Sequence, residues 1–242
     1  MRSATTIWRR ELGSFFASAV FWVLAAGFLA FFGLVFTGYV TQPGVQATMR
    51  PLIELIGTIL LFVTPLMSMR LLSEEQRSGT LELLMTSPVH DWQVIVGKWF
   101  AAFVALAVML SLTLIHVGIM YRLATNGMDP GPLLTAYLGI ALLGMALLAI
   151  GTLTSSLTSN QVVAAFIGIM IVMVLWFLPF LGQQVFGQGS TVGTILTRAG
   201  LSEHYLNFGQ GVVDTRDVVY FITLTVGALF LATRVLETRR WR

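Results

Sequence analysis

The chain of 242 residues has no cysteine, three histidines, and only 14 basic and 11 acidic side chains. The missing thiols exclude disulfides, thiolate metal sites and cysteine nucleophiles together. Three scattered histidines assemble no convergent acid, base, nucleophile or metal set, so an enzyme working inside a bilayer is the least favoured reading. Charged residues make up 10% of the chain and hydrophobic ones 56%, where an ordinary soluble domain is about 25% charged. So little charge cannot coat a water-soluble surface of this size, and the composition is that of an all-α integral membrane protein. A net charge of +3 builds no dense patch of the kind that holds nucleic acid. Membrane lipid is the surrounding the chain is built for.

About 20 mainly apolar residues cross the hydrocarbon core as a helix. No charge falls between Glu11 and Arg50, and the apolar part, about 15–39, is a first span. Arg2, Arg9 and Arg10 stand before it as they would before a signal peptide. The run is too long for one and no small-residue cleavage site follows, so a retained helix with an interfacial lead-in over 3–14 is expected. A second span covers about 52–72, with Glu54 and Arg70 marking its ends, and a third about 99–121. Between Asp129 and Arg198 lies an uncharged run too long for one helix; the polar tract 152–161 divides it into spans at about 133–153 and 162–181. A Gly/Gln/Ser/Thr-rich and then mixed segment, 182–217, precedes a sixth span at about 218–236.

Six spans put both termini on one side. With the termini and the segment 70–98 on that side, it holds Arg2, Arg9, Arg10, Arg70, Arg77, Lys98, Arg234, Arg239, Arg240 and Arg242, against Arg50, Arg122, Arg198 and Arg216 opposite. The excess of basic residues assigns both termini to the cytoplasm and 182–217 to the outside. The whole of 1–242 is then one transmembrane domain.

Residues 69–98 (MRLLSEEQRSGTLELLMTSPVHDWQVIVGK) gather charge in an otherwise apolar chain. Ser73–Ser78 suits a helix, Gly79 supplies a bend, and Leu81, Leu84 and Met85 fall on one helical face with Glu82 elsewhere. Pro88 disfavours helix at Ser87, and Asp91 is placed to cap the helix that runs through Lys98 into the third span. A helix lying on anionic lipid favours Lys and Arg, whereas this one carries Glu74, Glu75 and Glu82 against Arg77 alone. Such a helix suits a basic groove on a partner protein.

Arg70, Glu74-Glu75, Arg77, Gly79-Thr80-Leu81-Glu82-Leu83-Leu84, Pro88-Val89 and Gly97-Lys98 together resemble the segment between the second and third spans of the ABC-2 type transporter permeases. Leu201-Ser202, His204, Phe208, Gly211 to Asp217 and Tyr220-Phe221 are similar to the region before the last span of gliding-motility-type (GldF-type) permeases, as are the polar tract at 154–161 and the Arg-Arg-Trp tail. The resemblance implies a six-helix permease subunit in a bacterial inner membrane that pairs into a twelve-helix dimer. It also implies force received from a separate cytoplasmic ABC ATPase, and export as the direction. The coupling residues it implies are Arg70, Glu74, Glu75, Arg77, Gly79, Thr80, Leu81, Glu82, Leu84 and Pro88. The dimer partner is a second copy or a related membrane subunit with a large extracytoplasmic domain. No G-x-x-x-x-G-K-[ST] phosphate loop occurs: Gly97-Lys98 is followed by Trp99 and has Trp92 where the first glycine belongs. The chain itself therefore needs no cofactor, and ATP and Mg belong to the partner ATPase. The alternative function is an ATPase-coupled scaffold that transmits force to an extracytoplasmic partner without moving a solute.

Glu54 and His116 are candidate polar groups within spans, where an ionisable side chain points to function. Interfacial or interhelical hydrogen bonding accounts for them more simply. Asp214 and Asp217 are expected to orient the start of the last span with Arg216 beside them. Pro65 and Pro179 are candidate kinks, and Ala101/Ala105 and Ala164/Gly168 permit close helix approach.

Overall fold

The computed structural model describes residues 2–42, 48–80, 90–123, 129–187 and 190–240. Eleven helices and no strand occur among them: α1 (Arg2–Ala17), α2 (Ala19–Val40), α3 (Arg50–Ser68), α4 (Arg70–Ser78), α5 (Asp91–Ser111), α6 (Leu114–Leu123), α7 (Pro130–Leu157), α8 (Gln161–Phe186), α9 (Thr191–Ala199), α10 (Leu201–Gly209) and α11 (Thr215–Arg240). Six helical stretches are long and apolar enough to cross a membrane: α2, α3 with α4, α5 with α6, α7, α8 and α11. The protein is a multi-pass, all-helical membrane protein.

Helix α7 is the axis of the bundle, packing against α3, α4, α5, α8, α10 and α11. In its most apolar stretch 61% of residues are buried, against 28% in α2, α8 and α11, so those three present most of the lipid-facing surface. Asp129 caps α7 by accepting the Gly131 N–H at 2.9 Å, with Pro130 in the first turn where its missing N–H costs nothing. Asn160 caps α8 through the N–H groups of Val162 and Val163. Ala101, Ala105, Ala164 and Gly168 are all buried, and a Cβ on Gly168 would lie 3.2 Å from Pro65 and from Thr154. Between α2 and α3 an apolar groove of about 460 Å³, lined by Val23, Phe28, Phe31, Leu55, Ile59 and Phe62 among others, opens to the bundle surface.

Two spans are interrupted where an unbroken helix is expected. The second breaks at Met69, so Arg70, Leu71 and Leu72 open α4 within the one apolar stretch Arg50–Ser78. Pro65 lies one turn before the break, and Thr64 and Ser68 turn their hydroxyls back onto the Leu60 and Thr64 carbonyls, a pattern that bends helices. The third breaks at Leu112–Thr113, where the Thr113 hydroxyl reaches both the Leu110 carbonyl and the Tyr137 hydroxyl.

At the start of the third span the N-cap is His90, whose backbone N–H donates to Gln93 Oε1 at 3.4 Å. Asp91, expected to be the cap, is instead the first helical residue, its charge beside the positive end of the helix.

The segment 182–217 is largely helical. Its short helices α9 and α10 lie over the end of the bundle that holds the start of α3, and Leu201, Tyr205 and Phe208 of α10 are fully buried. The Tyr205 hydroxyl donates to the Ile53 carbonyl at 2.6 Å, Ser202 to Trp176 O at 2.8 Å, and Tyr220 to Ala199 O at 2.7 Å.

Candidate functional site

Helix α4 lies at the opposite end of the bundle from α10, and its sequence RLLSEEQRS sorts cleanly by face. Leu71, Leu72 and Ser73 are buried, Glu75 and Gln76 half-buried, and Glu74, Arg77 and Ser78 exposed. Gly79 ends the helix with φ of 71°, a left-handed conformation that glycine adopts without a Cβ penalty. The Ser78 and Thr80 hydroxyls are 2.8 Å apart just beyond it. Of the ten coupling residues the sequence nominates, Arg70, Glu74, Glu75, Arg77, Gly79 and Thr80 are on α4 or at its end. Leu81, Glu82, Leu84 and Pro88 lie outside the described residues.

Among the described residues, polar contacts hold α4 on three sides. Towards α5, Glu75 Oε1 is 2.9 Å from Lys98 Nζ, and the same ammonium is 3.1 Å from Glu11 Oε1 on α1. Arg10 completes the cluster, 3.0 Å from Glu11 and 3.7 Å from Glu75. Lys98 is only 2% exposed, so the two carboxylates stand around its Nζ where water would otherwise be. Towards the α1–α2 corner, Arg70 donates to the Ser18 hydroxyl and lays its guanidinium over the Phe15 ring, 4.6 Å from the centroid. Trp8 of α1 meets Phe100 of α5 edge-on at 5.8 Å.

Towards α7 the contact is made on the backbone. Ser155 Oγ accepts the N–H groups of Leu72 and Ser73 at 3.0 and 3.1 Å and donates to the Met69 carbonyl at 2.9 Å. The hydroxyl thus sits between the carbonyl and amides of successive turns, at the break between α3 and α4. Gln76 Nε2 donates to the carbonyls of Ser155 and Ser156 at 3.4 and 2.9 Å, satisfying groups in the last turn of α7 that have no partner further along that helix. A Cβ on Gly151, one turn up, would fall 2.8 Å from Ser68 Cβ, which shows how closely α7 lies on α3 here.

Glu11, Lys98 and Ser155 were not among the residues nominated from sequence, although a charge bordering a long apolar run is a signal that could have found the first two. Burial raises the Glu11 carboxyl, and the charges of Lys98 and Arg10, with their hydrogen bonds, outweigh that and hold it below its ordinary 4.5. A depressed carboxyl stabilises the folded state fully above its ordinary value and loses that contribution as pH falls through the lower folded value. Acidification below about pH 4.5 is therefore expected to loosen α1 from α5, read as faster proteolysis near Arg9 in detergent-solubilised protein, with Glu11→Gln removing most of the acid sensitivity.

The candidate groups within spans are placed apart from this site. Glu54 accepts from Arg50 Nε at 3.2 Å near the start of α3, with its side chain 38% exposed. His116 of α6 stands edge-on to Phe32 and Phe36, its ring centroid 5.0 and 4.9 Å from theirs, and joins α6 to α2. Asp214 precedes α11 and accepts the Arg216 N–H. Asp217 does more than orient the helix start: it is buried, 2.6 Å from His204 Nδ1 and 2.9 Å from Asn207 Nδ2, and so ties α10 to α11. The other ring nitrogen of His204 donates to the Arg198 carbonyl at 2.8 Å.

The arrangement joins one short amphipathic helix to the lead-in helix, the start of the third span and the end of the fourth. The family described as ABC-2 family transporter protein matches residues 5–208. Over 123 residues the chain is 32% identical to a protein of Escherichia coli (strain K12) described as a probable multidrug ABC transporter permease, YbhR, and equally to its counterpart in Escherichia coli O157:H7. Those matches cover 50% of this chain and 31% of each relative, so the chain spans about a third of the curated relatives it matches. With six apolar helices and a family match over most of its length, the chain belongs to the ABC-2 transporter permease family.

Proposed function

We propose that the chain is the permease subunit of an ATP-binding cassette exporter, driven through residues 70–90 by a separate cytoplasmic ATPase. The observation that carries this reading is the wiring of α4. A helix with an exposed acidic and basic face (Glu74, Arg77) is bonded to α1, α5 and α7 and leads through Gly79 directly into residues 81–89. Closure of the ATPase dimer displaces the docked segment, tilts the second and third spans, and alternates access at the interface with a second permease. That second permease is a further copy of this chain or a related membrane subunit with a large extracytoplasmic domain, as the GldF-type resemblance implies. ATP and Mg are handled by the ATPase, and both termini and α4 lie in the cytoplasm of a bacterial inner membrane.

Affinity purification of the full chain from its native membranes tests this. The expected result is an ABC ATPase co-purifying with the unaltered chain and lost, with membrane insertion intact, from Leu81→Asp or Glu82→Lys. Retention of the ATPase by both variants overturns the docking assignment. Reconstitution with ATP then separates the readings, since solute movement excludes a scaffold that only transmits force.

A further inference from the structure

We infer that Ser155 is a positioning residue that, with Gln76, makes α4 and the last turn of α7 one mechanical piece, so that displacement of α4 is delivered to the central helix directly. The inference rests on the proposed coupling role of α4 for the source of the displacement, and on the geometry of this chain for its route.

Two of the links out of α4 differ in stiffness. The link to α5 runs through the long side chains of Glu75 and Lys98, whose many rotatable bonds let the ion pair persist while the helices shift. The link to α7 has a lever of a single Cβ–Oγ bond. One hydroxyl uses its donor on Met69 O and its acceptor capacity on two amides of α4, all within 2.9–3.1 Å, so rotation of α4 by a fraction of a turn breaks three bonds at once. Gln76 adds a second attachment one turn along. Ser155 is fully buried, so water cannot readily replace its bonds, and an opened clamp leaves the Leu72 and Ser73 amides without this acceptor. A structure in which parting is costly moves as a unit. Because α7 packs against α3, α4, α5, α8, α10 and α11, a displacement delivered to it reaches most of the bundle.

The absence of native cysteine makes the test direct. Ser78→Cys and Ser159→Cys, both at exposed positions, carry spin labels on α4 and just beyond α7, and their separation is measured by pulsed dipolar spectroscopy. With the full chain alone in lipid nanodiscs, a single narrow distance is expected. Ser155→Ala broadens it at least twofold, Gln76→Ala does so to a lesser degree, and Ser155→Thr, which keeps the hydroxyl, restores it. In the complex with the co-purifying ATPase, the distance stays the same between nucleotide-free and vanadate-trapped states in the unaltered chain and becomes state-dependent in Ser155→Ala. A role in folding alone would lower yield without creating that state dependence. A distance that already changes with nucleotide in the unaltered chain, or one indifferent to both Ser155→Ala and Gln76→Ala, overturns the inference. Failure to recover any ATPase counts against the coupling role of α4, while the nanodisc distances still decide whether the clamp exists.

Discussion

Replacing Lys98 by methionine is expected to destabilise the protein by about 3–5 kcal/mol, the usual cost of removing one member from a buried charge cluster. The magnitude follows from what remains. Lys98 is 2% exposed and lies within 3.1 Å of Glu11 and Glu75, two carboxylates that would then face each other with the exposed Arg10 as the remaining salt-bridge partner among the described residues. Folded proteins are stable by roughly 5–15 kcal/mol, so the loss is a large share of the total. It should appear as a sharp fall in assembled protein and in thermal midpoint in detergent. The same reasoning predicts rescue. Combining Lys98→Met with Glu11→Gln and Glu75→Gln removes the stranded charges as well as their counter-ion, and most of the lost stability should return. A triple variant no more stable than the single one would mean that Lys98 acts through packing alone.

The second large effect is expected at the other end of the molecule. A Cβ on Gly57 would fall 2.4 and 2.7 Å from the Cε1 and Cζ atoms of Tyr205, closer than real contacts allow. Neither side can give way easily. Gly57 is on the buried face of α3, and the Tyr205 ring is 1% exposed and anchored through its hydroxyl to the Ile53 carbonyl. Gly57→Ala must therefore expel the ring and with it α10. A cost at or above the about 1–3 kcal/mol typical of overpacking is expected, whereas Tyr205→Phe, which deletes only the hydrogen bond, should cost about 1 kcal/mol. In a Tyr205→Ala background Gly57→Ala should add almost nothing, because the clash has no second party. Thermal unfolding of the four proteins in nanodiscs reads the cycle directly.

The contrast between these two sites shows which features could be read from the sequence. The six spans could, because long uncharged runs report hydrocarbon burial one residue at a time. So could the bend at Gly79, which depends on the local backbone. The break at Met69 could not: Pro65 hints at it, but its position depends on a hydroxyl from Ser155, 86 residues away. The Thr113–Tyr137 contact hid the break in the third span in the same way. Helices α9 and α10 were masked by the Gly/Gln/Ser-rich stretch before them, although Leu201, Tyr205 and Phe208 recur at spacings of four and three, a pattern that marks one helical face. Glu11 and Lys98 each flank an apolar run, a position that by itself names no partner. With so few charges in the chain, each one near a span needs a partner, and asking for those partners is how the cluster could have been anticipated.

In the proposed function, a separate ATPase grips the membrane helices at the segment beginning at α4. That grip is measured most directly by site-specific photocrosslinking in intact cells, with a photoreactive amino acid in place of Arg77 and, as control, of Val213 near the start of α11. An adduct is expected between the Arg77 position and an ABC ATPase, and none from Val213. An ATPase adduct formed from Val213 and absent from Arg77 would contradict the proposed function.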